Sequence, residues 1–109
     1  MKKLTSKKIA EEAKKAAEEL KAFNVEILNL KKRLIFCDYF VIASGNTRIQ
    51  NRAIADKIIQ HFKEMTITEK RVQGYSEGSW ILLDYAAVII HVFLEERRKY
   101  YNLEELWTE

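Results

Sequence analysis

The run Tyr39-Phe40-Val41-Ile42-Ala43 restricts the possible folds more than any other stretch. Its residues are all apolar or aromatic, so a strand here has no face suited to water. Such a strand belongs inside a sheet, with something packed on both sides. Gly45-Asn46-Thr47 breaks the run, and Thr47 offers the side-chain oxygen that starts a helix. From Arg48 to Met65, residues Ala55, Ile58, Ile59, Phe62 and Met65 recur at helical spacing. A buried strand leading into an amphipathic helix defines a helix-on-sheet architecture.

The rest of the chain extends this pattern. Thr5 to Phe23 reads as an amphipathic helix, with Ile9, Ala13, Ala16, Ala17 and Leu20 on one stripe. Thr5 or Ser6 suits its start and Asn24 its end. Val25 to Leu30 is a strand, Lys31-Lys32-Arg33 an exposed turn, and Leu34 to Ser44 the central strand. Three more strands follow: Arg71 to Gly74, Trp80 to Asp84 and Val88 to Leu94, the last two close enough for a hairpin. Glu95 to Tyr100 is helical, and Leu103 to Trp107 adds a final turn. The order is α-β-β-α-β-β-β-α. It predicts an α/β (α+β) fold with a mixed sheet of about five strands and helices packed on it. The strand–helix–strand passage through residues 39–74 predicts a parallel crossover, right-handed by the general rule. No repeat or linker divides the 109 residues, so residues 1–109 read as one domain.

Charge is uneven. Residues 1–33 hold ten Lys/Arg and five Glu, whereas residues 34–109 hold nine Lys/Arg and eleven Asp/Glu. The basic first helix reads either as an ordinary solvated surface or as a contact for an anionic partner such as RNA. Cys37 is the only cysteine, which rules out an intrachain disulfide or a cysteine-built zinc cage and points to a reducing compartment. No apolar run is long enough for a bilayer, and no apolar segment follows Met1-Lys2-Lys3 as in a secretory signal. The expectation is a cytoplasmic protein with no membrane contact.

Catalytic constellations are missing. There is no phosphate-binding loop, dinucleotide fingerprint or zinc-binding histidine pair. The Gly-Asn-Thr turn is ordinary helix-start chemistry, although such a turn can also hold an anion. His61, beside Phe62 on the second helix, is expected to face solvent. His91 interrupts an apolar strand, either as a hydrogen-bonded structural residue or as part of a binding face. Cys37 has no base placed beside it and reads as a small buried hydrophobe. Asp38, Asp56 and Asp84 stand singly, without the acidic pair of metal-dependent phosphoryl chemistry. The expectation is therefore no catalytic, cofactor or metal site, and a protein that acts by binding.

The hairpin from Gly78 to Phe93 shows where. Alternation and cross-strand pairing place Trp80, Leu82, Asp84, Ile89, His91 and Phe93 on one face, and Ile81, Leu83, Val88, Ile90 and Val92 on the other. The second face is wholly aliphatic and suits packing under helices. The first mixes aromatics with Asp84 and His91, as protein-binding surfaces do, unless it too is buried. Trp80 is the candidate anchor, surrounded by Leu82, Asp84, Ile89 and His91. Tyr100, Tyr101 and Trp107 are secondary candidates, since the closing helix follows directly from the last strand.

Four blocks carry a resemblance. Asp38-Tyr39-Phe40-Val41-Ile42-Ala43-Ser44-Gly45-Asn46, Arg52-Ala53-Ile54-Ala55-Asp56, Gly78 to Phe93, and Arg98-Lys99-Tyr100-Tyr101-Asn102-Leu103-Glu104-Glu105-Leu106-Trp107 resemble, in order, motifs of the ribosomal silencing factor (RsfS, or Iojap) family. Ala86-Ala87 departs from the family's usual Gly-Asp. The resemblance implies a nucleotidyltransferase-like fold without that active site. It also implies a repressor that binds protein number fourteen of the large ribosomal subunit and sterically blocks joining of the small subunit. No cofactor is implied. Peripheral rRNA contact through the first helix, and a homodimer, stay open. The rival readings are a general RNA-binding module and a nucleotidyltransferase-like enzyme.

Overall fold

The computed structural model describes residues 4–33 and 37–102, with residues 100 and 101 described through their backbone alone. The element order is α1 (Ser6–Glu19), β1 (Phe23–Asn29), β2 (Tyr39–Gly45), α2 (Arg48–Glu64), β3 (Arg71–Gln73), β4 (Trp80–Asp84), β5 (Val88–Leu94) and α3 (Glu95–Tyr101). This is the predicted order. The start of the predicted central strand and the turn at Leu103 to Trp107 fall outside the described residues.

Five strands form one mixed sheet in the order β1-β2-β5-β4-β3. β2 pairs antiparallel with β1 and parallel with β5, and every one of its residues is buried. β3 is antiparallel to β4, and β4 to β5, so β3 runs in the same direction as β2. The passage through α2 thus joins two codirectional strands, but it ends at the far edge, and β2's parallel neighbour is β5. The hairpin register is as predicted, with Trp80 opposite Phe93, Leu82 opposite His91 and Asp84 opposite Ile89.

Both long helices pack on one face of the sheet. Thr5 caps α1 by accepting from Lys8 N at 3.1 Å, and Thr47 caps α2 by accepting from Gln50 N at 2.9 Å. Ala10, Ala13, Ala16 and Ala17 let α1 approach closely, and Ile54, Ala55, Ile58 and Phe62 of α2 share that core. Opposite them lie Ile81, Leu83, Val88, Ile90 and Val92, all fully buried. Gly45 is required where β2 meets α2: a Cβ there would sit 2.0 Å from Asn51 Oδ1. Asn51 is itself buried and donates to Gly78 O at 2.8 Å, tying α2 to the start of the hairpin.

Two expectations need correction. α1 stops at Glu19, short of Phe23, because the chain turns at Lys21 (φ 66°) to enter β1. Asn24 does not end the helix; it takes its positive φ (50°) inside β1, at a register shift against β2. His61 does not simply face solvent. α1 brings the buried Glu12 within 2.8 Å of its Nε2, and that hydrogen bond is the main cause holding the Glu12 carboxyl below its usual pKa.

Candidate partner-binding face

The other sheet face is built from the alternate residues of the same strands. Leu28, Leu30, Cys37, Phe40, Ile42 and Phe93 form a second apolar cluster, with Trp80 and Ile89 packed against it. None of its members comes from α1 or α2. α3 leaves β5 and packs on β5 and β2. Arg98 of α3 is buried, and its Nη1 donates to Asn24 O at 2.5 Å and Ser44 Oγ at 2.8 Å, fixing the short helix to the sheet.

Aromatic rings organise this face. Trp80 stacks on Phe93 at 4.8 Å between ring centres, and Phe40 meets His91 edge-on at 4.6 Å. Trp80 Nε1 donates to His91 Nδ1 at 3.1 Å. An indole nitrogen can only donate, so His91 Nδ1 accepts and the ring proton sits on Nε2. Burial pushes the His91 pKa down to about 4, which keeps the ring neutral. Nε2 is buried and has no hydrogen-bond partner.

Trp80, Leu82, Asp84, Ile89 and His91 therefore share one face, at different depths. Trp80, Leu82, Asp84 and Ile89 are half-buried, whereas His91 is 4% exposed beneath Trp80, and Phe93 is fully buried. Asp84 is partly committed: it accepts from Ala86 N at 2.8 Å and pairs with Arg71 at 3.2 Å. The backbone of Tyr100 and Tyr101 lies in α3; their side chains, and Trp107, lie outside the described residues. Sequence reasoning missed Leu28, Phe40 and Ile42 as extensions of the face. Alternation puts Phe40 and Ile42 on one side of β2, but only the β2–β5 pairing shows that this side is shared with His91. It also missed the anchoring role of Arg98, whose only signal was its place in the closing motif.

Cys37 is buried and its thiol donates to Tyr39 O at 3.1 Å; burial pushes its pKa up, which disfavours a reactive thiolate. Among the described residues, no group of three His, Cys, Asp or Glu could hold a metal ion. No helix among them is long and apolar enough to cross a membrane.

A helix layer on one side and an aromatic-rich face free of α1 and α2 on the other define a layered α+β domain. The family described as ribosomal silencing factor during starvation matches residues 3–109. The chain is 36% identical to ribosomal silencing factor RsfS of Halalkalibacterium halodurans over 97% of its length and 91% of the relative's. It is equally identical to RsfS of Bacillus subtilis, covering 97% and 90%. A Chromobacterium violaceum crystal structure superposes with a TM-score of 0.93 at 28% identity, covering 95% of this chain and 87% of that one. A Bacillus halodurans crystal structure gives 0.84 at 38% identity, covering 93% and 94%. The chain belongs to the ribosomal silencing factor family, whose role is regulatory and tied to the ribosome.

Proposed function

We propose that this chain represses translation by docking on protein number fourteen of the large ribosomal subunit, where its bulk blocks joining of the small subunit. It acts by binding, without a cofactor, in the cytoplasm. The observation that carries the docking mode is the sheet face holding half-buried Trp80 over His91 and Phe93, with Leu82, Asp84 and Ile89 around it. A large aromatic seated among a few polar groups is the usual anchor of a protein interface. Family membership supports the target.

Sucrose-gradient fractionation of a cell lysate tests the mechanism. The protein is expected with free large subunits and not with joined ribosomes. Equal amounts in both peaks would rule out the block on joining. The basic first helix supports a secondary rRNA contact. If RNA binding were the whole function, affinity for naked RNA would be high and steeply salt-dependent, while docking on the ribosomal protein would be absent.

A further inference from the structure

The fold gathers cations that are separate in sequence. Asp38 accepts from Ser6 Oγ at 2.7 Å through its side chain, and from Leu30 N at 2.7 Å through its carbonyl. The first residue of α1 and the last residue before the basic turn therefore meet at the start of β2. Lys7 and Lys8 follow Ser6, and Lys31, Lys32 and Arg33 follow Leu30; all five are exposed. The turn is held in shape: Lys31 N donates to Asn29 Oδ1 at 3.1 Å and Arg33 N to Leu30 O at 2.9 Å. Lys31 Nζ lies 5.5 Å from the centre of the Tyr39 ring.

The described acidic residues that touch or follow these segments include Asp38, Glu11 and Glu12. Asp38 is engaged by Ser6, and buried Glu12 by His61 at 2.8 Å and Lys8 at 3.3 Å, whereas Glu11 is exposed. The exposed large apolar side chains among the described residues, Ile49 and Tyr75, lie at the opposite end of the strands. Among the described residues, then, no exposed apolar wedge accompanies these cations, and cations of that kind suit a phosphate backbone better than a lipid surface.

We infer that this two-segment corner, with Lys7 from α1 and Lys31 and Lys32 from the turn, is a contact site for the phosphate backbone of RNA. It is the corner, and not the length of α1, that makes the contact. This rests on the ribosome-bound reading for where such RNA is met.

Fluorescence anisotropy with a labelled RNA hairpin, containing no ribosomal protein, tests it. The doubly reversed variant Lys7→Glu/Lys32→Glu takes one charge from each segment. It should bind about tenfold more weakly at low salt, with a salt slope shallower by about two. The milder Lys7→Gln/Lys32→Gln should lose part of that affinity. Lys21→Glu/Lys99→Glu makes the same charge change at the opposite end and should bind within about twofold of the parent. All substituted residues are exposed, so melting curves by circular dichroism should stay unchanged. Equal losses from both Glu pairs would overturn the inference, because net charge alone would then explain binding. So would a parent protein that binds anionic phosphatidylglycerol vesicles but not the hairpin, or neither. If the gradient experiment fails while hairpin binding still depends on the corner, the docking reading falls and this inference stands.

Discussion

Trp80 and Ala86 occupy positions where one side chain decides a great deal. Trp80 is half-buried, stacked on Phe93 and hydrogen-bonded to His91. On the proposed docking face, Trp80→Ala should weaken binding to the ribosomal protein by about 2 kcal/mol or more, roughly thirtyfold. Isothermal titration measures that loss, and a parallel melting curve separates it from unfolding. A folded variant with the parent's affinity would move the interface elsewhere. Ala86 sits in the β4–β5 turn with φ 69°, and Tyr85 N donates to Val88 O at 2.9 Å across it. Positive φ at the first residue of a tight hairpin turn is glycine's conformation, and a Cβ there is strained. The glycine that the resemblance sets at this position would avoid that strain. Ala86→Gly should stabilise by about 0.5–1 kcal/mol, net of glycine's larger unfolded-state entropy, as read by urea denaturation.

At the scale of elements, legibility followed the length and purity of the pattern. β4 and β5 have the predicted bounds because strict alternation meets a close turn. α2 starts where the Thr47 cap says it should. The α1–β1 boundary was not legible, because Lys21 and Asn24 both adopt positive φ and either could have ended a helix. β5 carries the core: Val88, Ile90 and Val92 are fully buried against the helix layer. Ile90→Ala should therefore cost about 2–5 kcal/mol by leaving a cavity between β5 and the helices, measured by chemical denaturation. A loss under about 1 kcal/mol would mean that the core there collapses around the gap.

The whole molecule should lose stability in mild acid. His91 is buried and neutral, with its pKa pushed down to about 4 from 6.5. Between those values the unfolded chain binds a proton that the folded protein refuses, so stability falls as pH drops from about 6.5 to about 4. The full effect is about 3 kcal/mol as an order of magnitude. Glu12 adds to it in the same direction, since its lowered pKa contributes stability that is lost as its carboxylate is protonated. His91→Gln should flatten the upper part of this decline. Thermal melts at pH 7, 6, 5 and 4 (roughly spanning that window) check it, and identical slopes for variant and parent would show that His91 is not the group responsible.

The amino-acid sequence alone determined the element order, the two faces of the hairpin and the family, because these depend on local periodicity, short turns and contiguous motifs. Tertiary structure decided what depends on pairing between distant segments. It placed β5 between β2 and β4, so that Phe40 and Ile42 joined Trp80 and His91 on one surface. It put both long helices on the opposite side, leaving the aromatic face to the rest of the chain. It paired His61 with Glu12, and it brought Ser6 and Leu30, each at the head of a basic segment, together at Asp38. Each of these contacts spans tens of residues, and no local preference encodes it. It is selected only when the whole apolar surface is buried at once.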